Sequence, residues 1–313
     1  MEILGIGNAI VDVICKVDDD FISKNGLTKS TMKLIFDESE FQSLLKNLKI
    51  EKTVSGGSVA NSIVGLSQLG NKVGFIGKVS DDNLGNKYEA GLKKENVEFI
   101  YSKKKEIIPT GTCLILVTPD SERTMVTFLG TAGKINAYDI NINAVKESEI
   151  LFLEGYLWDE GEPKTAFEKA INNSNKVAMT LSDLFCVERH KNHFLELVKN
   201  KLDITFANEQ EFLSLIDTKK FDDVVNFAKN LKKLVVITRG EKGAIAIDED
   251  KIYECSAKKN LKIKDLTGAG DLFAGGFLHG IINKKSIQES LKIGTEMSSK
   301  VIQIIGARLS QSN

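Results

Sequence analysis

Apolar positions along this chain follow two alternating rhythms. Short unbroken apolar runs predict buried strands over Glu2–Gly7, Val73–Gly77, Ile150–Glu154, Val177–Leu181, Ile204–Ala207 and Leu234–Thr238. Between them, longer segments of helical period predict helices over Val59–Leu69, Leu84–Glu95, Pro163–Asn172, His190–Lys199, Glu209–Ile216, Phe221–Leu231, Leu272–Ile282 and Ile287–Ile304. Gly70 just past one helix and Asp222 near the start of another supply stop and start signals. Strand and helix in turn are the mark of βα units around a mainly parallel sheet, a three-layer α/β/α architecture.

Two stretches break the rhythm, residues 14–36 and 100–129. In the second, Thr112–Thr118 and Thr124–Leu129 flank Pro119-Asp120-Ser121-Glu122 like the arms of a hairpin. Both stretches read as parts of a small β-sheet lid over the carboxyl ends of the main strands, where open α/β sheets bind ligands. With no internal repeat and only three prolines, residues 1–313 read as a single domain.

A hydrophobic content of 42% over 313 residues supplies a sizeable core. Lys plus Arg number 42 against 43 Asp plus Glu, interspersed, so no field gathers nucleic acid or an anionic membrane. An anionic ligand must then be held by a local site. The run Ile3–Val13 is interrupted by Gly5, Gly7, Asn8 and Asp12 and lacks the flanks of a signal peptide, and no run approaches a membrane span. Cys15, Cys113, Cys186 and Cys255 are scattered, which argues against zinc and disulfides and for a reducing cytoplasm. His190-x-x-His193 has no carboxylate or Cys to complete a metal site and reads as a solvated helix face.

Chemistry concentrates at Asp265-Leu266-Thr267-Gly268-Ala269-Gly270-Asp271, followed at once by an apolar helix. A Gly268-Ala269-Gly270 turn into a helix leaves backbone N–H groups converging on one point at the positive end of the helix dipole, which makes an anion hole. A carboxylate beside a bound anion needs a reason, and accepting a proton from an attacking hydroxyl supplies one for Asp271. The plainer reading is a tight turn with an N-cap. Gly56-Gly57-Ser58-Val59-Ala60-Asn61 again sets glycines before a helix, with an amide one turn inside. Asp12 interrupts an apolar run just beyond the first strand, so it either meets solvent or, the favoured reading, accepts hydrogen bonds from a polyol. Gly5-x-Gly7 lacks the third glycine and the helix of a dinucleotide fold, and no P-loop motif occurs.

Together the two glycine stretches resemble the two signatures of the PfkB, or ribokinase-like, carbohydrate kinases, Gly-Gly-x-x-x-Asn early and Asp-Thr-x-Gly-Ala-Gly-Asp late, with Leu266 where the family often has Thr. The resemblance implies that Asp271 is the catalytic base and that the Gly268–Asp271 amides stabilise the transferring γ-phosphoryl group of ATP. Asn208-Glu209-Gln210-Glu211 resembles the family's Asn-x-x-Glu, which implies that Asn208 and Glu211 organise Mg²⁺ through water. Thr238-Arg239-Gly240-Glu241-Lys242-Gly243 resembles its nucleotide loop, with Thr238, Gly240 and Gly243 contacting the nucleotide. Asp265 and Thr267 match positions that bind K⁺ in some members.

Gly7-Asn8-x-x-x-Asp12 and Pro109-Thr110-Gly111-Thr112-Cys113 look like the adenosine kinase branch. That likeness implies a ribose held by Asn8, Asp12, Gly57 and Asn61, with Gly56 and Ser58 beside them, and Arg123 of the lid closing over the phosphates. A purine also needs a flat apolar slot, for which Cys113, Phe128, Tyr156, Leu157 and Phe185 are the candidates. The expected partner is a small-molecule nucleoside or sugar, and the expected state is monomer or homodimer. A kinase for ribose, fructose or a keto-deoxy sugar acid is the alternative, and a silent nucleotide sensor on the same fold is disfavoured because binding ATP does not require Asp271.

Overall fold

Side chains alternate across a strand, so a strand apolar at every residue must be covered on both faces. Ile3–Ile6 (β1) meets that condition with all four residues buried. The computed structural model describes residues 1–120, 122–158 and 161–309. From β1 the chain passes through β2 (Val11–Lys16), α1 (Asp19–Lys24), β3 (Met32–Ile35), α2 (Glu38–Lys46) and β4 (Ile50–Ser55). Then come α3 (Ser58–Gln68), β5 (Val73–Ile76), α4 (Asn83–Lys94), β6 (Glu98–Phe99), β7 (Thr112–Val117) and β8 (Arg123–Phe128). The second half runs α5 (Ile142–Glu147), β9 (Ile150–Glu154), α6 (Glu162–Ile171), β10 (Val177–Thr180), α7 (Leu184–Asn200), β11 (Ile204–Asn208), α8 (Glu209–Leu215) and α9 (Phe221–Leu231). It ends with β12 (Leu234–Thr238), β13 (Ala244–Asp248), β14 (Lys251–Cys255), α10 (Ala269–Ile282) and α11 (Ile287–Val301).

The main sheet has the order β14-β13-β12-β11-β10-β9-β1-β5-β6. It is parallel from β12 to β6; β13 runs antiparallel to β12, and β14, antiparallel to β13, returns to the common direction. One face packs Leu4, Leu151, Met179 and Ile237 against Phe167, Phe194 and Phe212 of α6, α7 and α8. The opposite face packs Ile3, Phe152, Phe206 and Val236 against Val59, Phe277 and Leu291 of α3, α10 and α11. Helix α10 is apolar nearly all round because it is buried between neighbours, the expected state of such a helix.

The second sheet has the order β3-β8-β7-β2-β4. One of its faces sends Val13, Cys15, Leu114, Leu116, Val126 and Phe128 into the core with Phe41 of α2. Its other face carries Asp12, Cys113, Ile115, Met125 and Thr127, which look onto a cavity.

This sheet departs from the expected 14–36 and 100–129 segments. It begins at Val11, and Ile50–Ser55 pairs with β2 as an unanticipated strand. That segment is an edge strand, largely exposed and polar, so it carries no apolar run to announce it. Residues 100–111 add no strand to it, and Lys104 makes only an isolated bridge to Ser80. Ser121, in the hairpin turn, lies outside the described residues. Helix α7 starts at Leu184, capped by Asp183, and is kinked at His190 (φ −116°, ψ 20°), which is buried rather than on a solvated face.

Candidate active site

The parallel strands end in register, with Ile6 beside Leu153, Glu154 beside Thr180 and Asn208 beside Thr238. Asn8, Glu154, Thr180, Asn208 and Thr238 at these carboxyl ends line a cavity of about 600 Å³, roofed by the inner face of the small sheet. This is the edge at which open α/β sheets bind ligands.

Asp271 sits in the first turn of α10. The N-cap Gly268 has φ +79°, and a Cβ there would lie 2.7 Å from Ala307 Cα, so a larger residue is strained and displaced. No side chain caps this helix start, and Gly268, Ala269, Gly270 and Asp271 all line the cavity. The Asp271 carboxylate accepts hydrogen bonds from Ser58 Oγ at 2.6 Å and Asn61 Nδ2 at 3.0 Å. Burial pushes its pKa above the ordinary value, while these two bonds and the Arg308 charge pull it down.

At the start of α3 the arrangement differs. Gly57 has φ +101°, and a Cβ on it would stand 2.3 Å from the Asn8 carbonyl oxygen, so the loop closes only around glycine. The free amide of Val59 donates to Glu154 Oε2 at 2.9 Å, and Asn8 N donates to Glu154 Oε1 at 3.2 Å. Glu154 is 1% exposed, and burial pushes its pKa up to about 7. Sequence reasoning missed it, although an acid closing the apolar run Ile-Leu-Phe-Leu was a signal. Asp12 lies against Gly56, where a Cβ would meet its carboxylate at 2.5 Å. Burial pushes Asp12 up to about 7, opposed by Arg308 and Arg123 and reinforced by Asp271. Asn8 Oδ1 is buried with no donor.

On the far side, Asn208 and Glu211 form a reciprocal cap on α8: Glu211 N donates to Asn208 Oδ1 at 2.9 Å and Asn208 N to Glu211 Oε2 at 3.0 Å. Burial pushes Glu211 up to about 7. Both line the cavity with Asp183, Arg189, Thr238 and Thr267; Asp183 and Arg189 were not anticipated. The oxygen donors of Asp183, Asn208 and Glu211 suit a hard divalent ion held partly through water. Among the described residues no three His, Cys, Asp or Glu side chains gather as a metal-binding group.

Several expected site residues fall off the cavity wall. Gly240 and Gly243 shape the turn after β12, where Arg239 N donates to the Gly243 carbonyl at 2.8 Å. Arg123 instead pairs with Asp265 at 2.7 Å. Asp265 also accepts from Gly306 N at 2.7 Å, Thr267 N at 3.1 Å and Thr267 Oγ1 at 2.7 Å, so a K⁺ there must share or displace these partners. Cys113, Tyr156 and Phe185 line the cavity. Phe128 does not: it is 6% exposed and stacked on Phe41 with centroids 5.4 Å apart, because its side of β8 faces the core. Leu157 is likewise buried, in the core across the main sheet. No helix among the described residues is long and apolar enough to cross a membrane.

Comparison with known proteins adds an independent line. The description "pfkB family carbohydrate kinase" matches residues 20–313. The crystal structure of adenosine kinase from Sinorhizobium meliloti superposes with a TM-score of 0.89 at 36% identity, covering 98% of this chain and 95% of that one. Adenosine kinase 2 of Arabidopsis thaliana is 26% identical over 97% of this chain and 94% of its own length. The 5-dehydro-2-deoxygluconokinase of Mesomycoplasma hyopneumoniae is 25% identical over 92% of this chain and 88% of its own length.

Proposed function

The chain belongs to the pfkB family of carbohydrate kinases and is a phosphotransferase acting on a hydroxyl group; we propose that it transfers the γ-phosphoryl group of ATP, with Mg²⁺, to the 5′-hydroxyl of adenosine or a closely related nucleoside. One observation carries the reading. A carboxylate braced by Ser58 and Asn61 stands in the first turn of α10, beside amides that no side chain caps, in a cavity shared with Asn8 and Asp12.

Asn8, Asp12, Gly57 and Asn61 hold the ribose, Asp12 accepting from its hydroxyls. Asp271 orients the 5′-hydroxyl toward the phosphorus and takes its proton as the new oxygen–phosphorus bond forms and the bond to ADP breaks. The amides from Gly268 to Asp271 hold the γ-phosphoryl oxygens as their charge shifts. Glu211 and Asn208 would hold magnesium through water, and the ion would supply charge neutralisation at the phosphates. Thr238, Thr267 and the Gly240–Gly243 turn take the rest of the nucleotide. Arg123 closes over the site with the small sheet and helps exclude water.

The apolar half of the cavity favours a nucleoside over a bare sugar. Met32, Leu34, Ile115, Leu129, Tyr156 and Phe185 form a wall that a purine fills and a free sugar leaves uncovered. The likeness to a 5-dehydro-2-deoxygluconokinase supports the sugar alternative. A panel of adenosine, inosine, guanosine, cytidine, ribose and fructose with ATP and Mg²⁺, products read by phosphorus NMR, decides between them. The proposal requires a 5′-monophosphate from a purine nucleoside at the highest kcat/KM, and preferred turnover of ribose or fructose contradicts it.

A further inference from the structure

After α11 the chain doubles back over the loop that enters α10. Lys264 N donates to the Ile302 carbonyl at 2.8 Å and Gly306 N to Asp265 Oδ2 at 2.7 Å, and Ala307 packs over Gly268. Leu309 O accepts from Gln68 Nε2 of α3 at 3.0 Å. The segment is thus fastened to both helices that frame the site. Between these fastenings Arg308 turns inward, its Nε donating to Asn61 Oδ1 at 2.8 Å while Nη2 is buried with no acceptor.

An asparagine amide can face either way, and its partners decide which. With Oδ1 of Asn61 held by a donor that cannot become an acceptor, Nδ2 must face Asp271, where it donates at 3.0 Å. Electrostatics point the same way. The groups acting on Asp271 are the Ser58 hydroxyl and Asn61 amide of α3, the carboxylates of Asp12 on β2 and Glu154 on β9, Tyr156 beyond β9, and the Arg308 guanidinium. Carboxylates gathered around one cavity oppose one another's ionisation unless a cation offsets them.

We propose that Arg308 is a positioning residue for phosphoryl transfer, fixing the Asn61 amide against Asp271 and supplying positive charge to the Asp12–Asp271 carboxylate pair from outside the cavity wall. The proposal rests on the reading of Asp271 as the base. Arg308 is not among the residues that line the cavity, and it acts through the two carboxylates and Asn61.

The test compares Arg308→Gln, which keeps a donor but loses the charge, with Arg308→Lys, which keeps the charge but loses the planar Nε donor. Removing the cation raises the pKa of Asp271, so the base is ionised only at higher pH. The acid limb of the kcat/KM profile for adenosine is therefore expected to move up by about one pH unit in Arg308→Gln. Arg308→Lys is expected to keep the limb in place while kcat falls across the whole range. Turnover reduced equally at every pH with an unmoved limb in Arg308→Gln overturns the proposal. So does a moved limb in Arg308→Lys, the arm that decides if the glutamine variant does not fold. Carbon NMR titration of aspartate-labelled, ligand-free protein, with the Asp271 signal identified by its loss in Asp271→Asn, reads the same midpoint without turnover. A raised Asp271 midpoint in Arg308→Gln with no turnover of adenosine by the wild type leaves Arg308 supported and the acceptor wrong. A shared midpoint removes Arg308 whatever the acceptor.

Discussion

Helices α3 and α10 both begin at a glycine of positive φ without a side-chain cap of their own, yet they use their free amides in opposite ways. At α3 the protein supplies the anion: Glu154, from the end of β9, accepts from Val59 N and ties the helix to Asn8. At α10 no side chain does so, and the same kind of helix end lines the cavity next to Asp271. A buried helix start needs a partner for its first-turn amides. Where the fold provides one the turn is structural and positions Asn8 and Asn61, and where it does not the turn is free to hold a phosphoryl group. Ser58 and Asn61 reach from the closed end to the open one.

The largest effect is expected at the open end. Asp271→Asn keeps size and one acceptor oxygen, so nucleotide and nucleoside affinities by calorimetry stay within a few-fold while turnover falls by about 10²–10⁴. Near-normal turnover would leave Asp271 only a structural partner of Ser58 and Asn61 and erase the contrast between the two ends. Arg123→Ala comes next, with kcat expected to drop by about 10² through lost charge stabilisation and acceptor affinity nearly unchanged. Wild-type kcat would remove Arg123 from the chemistry and leave it only the Asp265 ion pair.

At the closed end the expected signature is in stability. The folded-state pKa of Glu154 is raised to about 7 from 4.5, so the folded protein binds its proton more tightly than the unfolded chain does. The resulting stability is fully present below about pH 4.5 and is lost as pH rises through about 7, with Asp12 and Glu211 contributing in the same direction. Melting temperature should fall over that window, and less steeply in Glu154→Gln; an identical slope in the variant would show that Glu154 is not held as a buried acid. The smallest effect is expected between the ends. Ser58→Ala removes one of two donors to Asp271 and should cost roughly 1 kcal/mol, about fivefold in kcat. A loss as deep as that of Asp271→Asn would mean that Ser58 itself takes part in proton transfer.

Legibility in the sequence followed the range of each interaction. The central strands could be read because they are apolar on both faces, whereas β4, with Glu51 and Lys52 exposed at an edge, could not. Both glycine turns were visible because a turn and the helix it opens are adjacent in the chain. Arg308 was invisible and Glu154 was marked only as an acid closing an apolar run, with nothing to say what it holds, since their partners lie 247 and 95 residues away. Phe128 was misplaced for a different reason: every residue of β7, its hairpin partner, is at least half-buried, so sequence alternation does not say which face meets the cavity.

The most direct measurement is a crystal structure with a nonhydrolysable ATP analogue, Mg²⁺ and adenosine. The account predicts the terminal phosphorus at the start of α10, its oxygens within hydrogen-bond reach of the Ala269, Gly270 and Asp271 amides, and the 5′-hydroxyl on the Asp271 carboxylate. A terminal phosphate seated instead at the start of α3 in place of the Glu154 carboxylate, or an acceptor hydroxyl out of reach of Asp271, would contradict it.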